Sequence, residues 1–294
     1  MEKKKNAFVR FFCFIGRGIR NFFFGIIFCL VFIFAFPFFV CRVKGKKKFQ
    51  EDDEARVFLC NHYELFGPIS MYMSFPLKFR PWIIDKMMEE ECVEKQISLM
   101  IMNNYKRVPV WLKKAIIKSV KHFVVFVMHV ARGISVSREN PRANIKTFSE
   151  SLKTFEKHEC ILIFPEKLYV KEGVGEFQTG FEHLAKYYYK KTGKCITFYP
   201  TFSSQSLRTI YIGDPIKYSP ETENDKKIDY VKEIHDRMKA LYEQNELGNK
   251  RLVKKREKKA KREAKKQAKK IEKQEKTKNK IKHEQPAKRK QSEK

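Results

Sequence analysis

Short apolar segments alternate with longer amphipathic segments through the middle of this chain, and this alternation limits the fold more than any other feature. The short segments have the length of buried strands, and the segments between them have the apolar spacing of helices. Strands are predicted at residues 56–60, 81–85, 134–137, 160–164, 195–201 and 207–212, and helices at 111–131, 140–158, 179–191 and 225–244. Strands separated by helices predict an α/β domain with a mixed, largely parallel sheet flanked by helices.

Composition divides the chain into three parts. Residues 1–48 contain an almost unbroken, Phe-rich apolar run at 22–41, about long enough to cross a bilayer core. Residues 49–247 have a globular composition, and residues 248–294 form a Lys-rich tail predicted to be helical or disordered. Because Lys and Arg flank the apolar run on both sides, two arrangements stay open: a single span, or a helix pair inserted in one leaflet. Both predict a membrane-associated chain, and we expect its globular part to face the cytoplasm.

The charge of the chain points to an anionic partner. Lys and Arg number 63 against 34 acidic residues, which gives a net charge of +29, and the excess is strongest in the tail. The tail has no aromatic side chain to stack on bases, so anionic membrane phospholipids are favoured over nucleic acid. The seven cysteines form no CxxC pair, which predicts reduced thiols and no metal site.

Two motifs follow predicted strands. The first reads Asn61-His62-Tyr63-Glu64-Leu65-Phe66-Gly67-Pro68, and the second reads Phe164-Pro165-Glu166-Lys167. A histidine between a strand and a helix is well placed to act as a general base. In this order the two stretches resemble the first and third motifs of the glycerolipid acyltransferases, the lysophosphatidate and glycerol-phosphate acyltransferases. Weaker likenesses at 133–138 and 177–181 extend the resemblance over about residues 55–217.

The resemblance implies a function and a set of site residues. The chain would move a fatty acyl group from acyl-CoA or acyl carrier protein to a hydroxyl of a lysophospholipid or glycerol-phosphate-like acceptor, with no bound cofactor. His62 would be the base. The substrate-binding residues would be Asn61, Arg138, Glu166, Lys167 and Gly180.

The chain departs from the family at Gly67, where the first motif has an aspartate. That carboxylate normally orients the histidine and stabilises its protonated form. Glu64 is a candidate substitute, since it lies two residues after His62. Two functions stay open: a divergent acyltransferase that uses His62 and Glu64, or a catalytically inactive lipid-binding protein with the same fold. The sequence also leaves the oligomeric state open.

Overall fold

The computed structural model describes residues 22–23, 25–27, 29–30, 33–34, 37–49, 55–64, 66–95, 98, 109–138, 140–167, 170, 173–220, 229–254, 256–258 and 261–263. The chain divides into two compact units, residues 1–242 and residues 243–294. The described part of the second unit begins with a π-helix, Glu243–Leu247, in which the buried Glu246 pairs with Arg256. Most of the predicted Lys-rich tail lies outside the described residues.

Strands and helices alternate through the first unit as the sequence predicts. They are β1 (Arg42–Lys44), β2 (Arg56–Cys60), α1 (Phe66–Ser74), β3 (Phe79–Ile84), α2 (Val110–Val130), β4 (Ile134–Val136), α3 (Asn144–Phe155), β5 (Cys160–Ile163), α4 (His183–Thr192), β6 (Thr197–Ser204), β7 (Thr209–Ile212), β8 (Ile216–Lys217) and α5 (Tyr230–Tyr242). The six predicted strands and four predicted helices are all present, with ends displaced by a few residues. Among the elements named above, no range was predicted for β1, α1 and β8.

The sheet is mixed and largely parallel, which confirms the α/β part of the predicted fold class. Its strand order is β1-β7-β6-β2-β5-β3-β4, and β8 also pairs with β6. Strands β6, β2, β5, β3 and β4 are mutually parallel, whereas β7 and β8 run antiparallel to β6. The five parallel strands therefore end on one side of the sheet, here called the carboxyl edge, where ligand sites of α/β proteins usually form.

Two apolar clusters cover the two faces of the sheet. Successive side chains of a strand point to opposite faces, and β2 shows this clearly. Val57 and Leu59 pack in one cluster with apolar residues of α3, α4 and α5. Phe58 and Cys60 pack in the other cluster with Phe66 and other residues of α1. The sheet is thus buried between helices on both faces, as predicted.

The end of the apolar N-terminal run packs against the sheet domain. Phe39 stacks on Phe66 with ring centroids 5.7 Å apart, and the Cys41 amide donates to Ser74 Oγ at 2.8 Å. Directly afterwards β1 pairs with β7, so a strand lies inside the segment that the sequence assigned to the anchor.

The described residues between 22 and 39 are helical. Within the described part of the chain, no helix is both long and apolar enough to cross a membrane. Residues 1–21 and several positions of the predicted apolar run lie outside that part.

Candidate active site

The sequence motifs meet at the carboxyl edge of the sheet. Asn61 and His62 directly follow β2, and Glu166 lies three residues after β5, the parallel neighbour of β2. Arg138 lies two residues after β4. Three motifs that are separated by up to a hundred residues in sequence therefore share one edge, because each directly follows a parallel strand.

Asn61 is fixed by the neighbouring strand β6. Its side chain is 1% exposed; Oδ1 accepts from the Ser203 amide at 2.7 Å, and Nδ2 donates to the Ser203 carbonyl at 3.2 Å. The side-chain amide thus takes the place of a backbone peptide and extends the contact between β2 and β6. Both polar atoms of the side chain are hydrogen-bonded within the sheet, so Asn61 has a structural role here. Its role in substrate binding stays a prediction.

His62 is half-buried and packs edge-on against Phe164, with ring centroids 5.2 Å apart. Burial lowers the pKa of the imidazole; the backbone at Glu64 offsets part of this shift, and the positive charge of Arg138 lowers the pKa further. The ring is therefore predominantly neutral at pH 7, which is the form that can accept a proton. Its Nδ1 atom is buried and has no hydrogen-bond partner among the described residues.

Gly67 stands where the first motif of the acyltransferases that the sequence resembles has an aspartate, and the structure leaves no space there for a side chain. A Cβ atom at Gly67 would lie 2.3 Å from the Asn61 carbonyl oxygen and 2.6 Å from the His62 carbonyl oxygen. The Gly67 amide donates to that His62 oxygen at 3.1 Å. Backbone atoms of the loop therefore fill the space that a side chain at residue 67 would need.

The turn between His62 and α1 is tight. Tyr63 and Glu64 both have positive φ angles, 40° and 55°, a region that side-chain-bearing residues adopt at a cost. The Glu64 side chain is exposed. No hydrogen bond joins these two described side chains, and Nδ1 of His62 has no partner, so the structure does not show the expected contact between the imidazole and the Glu64 carboxylate.

Glu166 ties the His62 loop to a second loop. The side chain is only 5% exposed; Oε2 accepts from the His62 amide at 2.8 Å and Oε1 accepts from the Gly175 amide at 2.9 Å. Burial raises the pKa of the carboxyl group, while the two amide donors and the charge of His235 act in the opposite direction. Both oxygens are engaged by the backbone, so Glu166 positions the base loop in this structure.

The other predicted binding residues differ in whether they already have hydrogen-bond or ion-pair partners within the protein. Lys167 pairs with the exposed Glu176 at 3.4 Å, within a short antiparallel bridge that joins residues 166 and 177. Gly180 has a φ of 112°, and its amide donates to Glu182 at 2.6 Å. Arg138 is exposed and has no hydrogen-bond or ion-pair partner among the described residues, which leaves its guanidinium free for an anion.

Two residues that position the site were not predicted from the sequence. Ser203 and Gly175 hold Asn61 and Glu166 through backbone atoms, and a backbone contact puts no constraint on side-chain type that a sequence could display. Within the described residues, no group of three His, Cys, Asp or Glu side chains is arranged to hold a metal ion. Cys60 lies beside Asn61, and burial raises the pKa of its thiol, so the sulfur stays protonated.

The chain overlaps in part with a solved structure. The crystal structure of the 1-acyl-sn-glycerophosphate (LPA) acyltransferase PlsC from Thermotoga maritima overlaps 70% of this chain and 74% of that chain, with a TM-score of 0.38 and 16% sequence identity. At this level of overlap the likeness carries nothing about substrate or activity. No protein-family model and no curated protein matches the chain.

Proposed function

We propose that the chain is a membrane-associated acyltransferase with His62 as its general base. The observation that carries the proposal is a half-buried imidazole with a lowered pKa at the carboxyl edge, within the electrostatic reach of an unpaired Arg138. A base must be neutral before it acts, and an anionic acceptor needs a cation beside that base. The motif resemblance around residues 61–68 and 164–167 supplies the reaction type.

The reaction transfers an acyl group from a thioester to an alcohol. The acceptor hydroxyl gives its proton to His62 as its oxygen bonds to the thioester carbonyl carbon. The carbon–sulfur bond then breaks, and the leaving thiolate takes the proton back from the imidazolium. The products are an ester and a free thiol, and His62 returns to its neutral form. Nε2 is the accepting atom in this scheme, because Nδ1 is buried.

The substrates follow from the resemblance. The donor is acyl-CoA or acyl carrier protein, and the acceptor is a lysophospholipid or a glycerol-phosphate-like alcohol whose phosphate binds Arg138. Association with a membrane would bring the lipid acceptor to the site, with the globular unit facing the cytoplasm. Support for the membrane comes from the exposed apolar side chains among the described residues between 22 and 38 and from the net charge of +29.

A second candidate is an inactive lipid-binding protein with the same fold. It is favoured by one observation: the Nδ1 atom of His62 lacks a carboxylate partner, and the close backbone contacts of Gly67 exclude one at the family's position. An unsupported imidazole gains less from protonation, and loss of the aspartate partner costs a serine protease about four orders of magnitude in turnover.

One assay separates the two candidates. Purified full-length chain is offered labelled acyl-CoA or acyl carrier protein as donor and a panel of lysophospholipids and glycerol phosphate as acceptors. We expect transfer by the wild type and a rate about 10²- to 10⁴-fold lower for His62→Ala. His129→Ala is the matched control, since His129 lies exposed near the end of α2, at the opposite edge of the sheet. Absence of transfer with every pair, or equal transfer by His62→Ala, would reject the proposed role of His62.

A further inference from the structure

The first two turns of α2 expose an apolar surface. Val110 is 59% exposed and Trp111 is 71% exposed, and Leu112 and Ile116 are also exposed. In contrast, the same turns bury Lys113 and Ile117. A helix that packs on a soluble domain normally does the reverse and turns its largest apolar side chains inward. The exposed residues are called the Trp111 patch below: Val110, Trp111, Leu112 and Ile116, together with the exposed Lys114 and Lys118.

The Trp111 patch is amphipathic on its outer side. With about 100° of rotation per residue, Trp111, Leu112 and Ile116 fall within an arc of about 140°. Lys114 and Lys118 lie beside one border of that arc. Lysine side chains can extend their ammonium groups to lipid head groups while their carbon chains stay near apolar neighbours, and tryptophan is enriched at the membrane–water interface. The arrangement is that of a helix lying in a bilayer surface.

The topology places the Trp111 patch at the carboxyl edge. Helix α2 ends at Val130, just before β4 begins, so its last turn lies where the parallel strands start. The helix contacts the 3-10 turn Asp85–Met87, which directly follows the end of β3. The helix therefore runs back along the sheet, and its first turns lie on the side where His62 and Arg138 are found.

The apolar N-terminal residues reach the sheet from that same side. β1 is antiparallel to β6, because it is parallel to β7, and Arg42 pairs with Thr209 opposite the end of β6. Large apolar residues that precede β1 are exposed: Phe22, Phe23, Ile26, Ile27, Leu30, Ile33, Phe34 and Phe38. Two exposed apolar surfaces thus flank the same edge of the sheet as the candidate site.

A lipid surface fits the Trp111 patch better than a protein does. A stable protein interface takes about 20–30 residues from each side, whereas this patch offers four apolar residues and two lysines. A bilayer surface needs no complementary shape, and anionic head groups would neutralise the lysines. We propose that the Trp111 patch is a membrane-contact surface that docks the carboxyl edge on an anionic bilayer. The benefit of this docking, delivery of a lipid acceptor to His62, rests on the proposed function. The docking itself needs no catalysis.

The chain contains two tryptophans, so fluorescence can be made to report on the Trp111 patch alone. Trp82 is buried and its indole nitrogen donates to Ser151. In a Trp82→Phe variant, fluorescence reports on Trp111 alone. Vesicles of phosphatidylcholine with phosphatidylserine should shift this emission to shorter wavelength and protect it from a water-soluble quencher. Emission and quenching that stay unchanged while the chain sediments with the vesicles would overturn the proposal.

Substitutions give a second readout. Trp111→Ser combined with Leu112→Ser should weaken partitioning onto these vesicles about tenfold or more. Lys114→Gln with Lys118→Gln should weaken it about fivefold per lysine at low salt, and this difference should vanish at high salt. Val130→Ser is the matched control, because Val130 is an exposed apolar residue at the other end of the same helix. Equal losses for the control and the patch variants would argue against docking through this patch.

The outcomes separate this inference from the proposed function. Protection of Trp111 by vesicles without any acyl transfer would support the docking surface and reject the enzyme. Acyl transfer with Trp111 left in water would support the enzyme and reject the surface. A dimer in the absence of lipid that dissociates on Trp111→Ser would assign the patch to a second copy of the chain and overturn lipid docking.

Discussion

An aspartate at Gly67, as in the first motif of the acyltransferases, should damage this protein instead of improving it. A Cβ atom there would lie 2.3 and 2.6 Å from two backbone carbonyl oxygens, far inside ordinary contact distance, and neither oxygen belongs to a flexible side chain. The loop would have to move, which costs about 1–3 kcal/mol as overpacking. Moving it also breaks the hydrogen bond from the Gly67 amide to the His62 carbonyl, worth about 1 kcal/mol.

The expected loss in the free energy of unfolding is therefore about 2–4 kcal/mol for Gly67→Ala. Gly67→Asp should lose more, because its carboxylate would also lie close to two carbonyl oxygens. For a domain of this size, the loss corresponds to a melting temperature lower by about 4–16 °C. The measurement is thermal unfolding followed by circular dichroism, together with acyl transfer at a temperature where each variant is folded.

A helical glycine with free space supplies the control. Among the described residues, and apart from the adjoining part of its own helix, no atom lies within 4 Å of a Cβ built at Gly25, so Gly25→Ala should unfold like the wild type. The reasoning is refuted if Gly67→Asp is as stable as the wild type and transfers acyl groups faster. Such a result would mean that the loop accepts a carboxylate beside His62 without strain.

Three further changes test the site and the tail. Glu166→Gln leaves one of two amide donors facing an NH₂ group, so it should lower the free energy of unfolding by about 1–3 kcal/mol, measured by urea denaturation, and slow acyl transfer by loosening His62. Arg138→Gln removes a charge that lowers the His62 pKa, so the acidic limb of the pH–rate profile should move to higher pH, whereas Arg142→Gln should leave it in place. Deletion of residues 250–294 should weaken binding to anionic vesicles at low salt, and sedimentation that is unaffected by the deletion would contradict a lipid-binding tail.

The sequence predicted the long elements and the positions of the two motifs directly after strands, because both depend on side-chain pattern. Val57 and Phe58 belong to a short apolar run that is typical of a buried strand, and a strand end directly before Asn61 places that residue at an edge of the sheet. His62 was expected between a strand and a helix, but the range of that helix, α1, was not predicted, and the pair Gly67-Pro68 is more often found in turns. In the structure Pro68 stands in the first turn of that helix, where its missing amide costs nothing.

The interior of the site could not be predicted, because its contacts use the backbone. Glu166 matched the family pattern and suggested a ligand for substrate, yet both of its oxygens bind amide groups. Gly67 suggested a lost carboxylate, and only the distances to the carbonyl oxygens show that the loop fills the space. Such contacts depend on how two distant loops meet, and amide and carbonyl groups are the same at every position.

The hydrogen bond of the Asn61 side chain offers a way to measure how often the site opens. Its oxygen holds the amide proton of Ser203, and the carboxylate of Glu166 holds the amide proton of His62. Deuterium can replace either proton only after the carboxyl edge has opened, so exchange at these two amides records the lifetime of the closed site. If both exchange as slowly as the amides at the centre of β2, the edge opens only when the whole sheet unfolds, and substrates meet a preformed, rigid base.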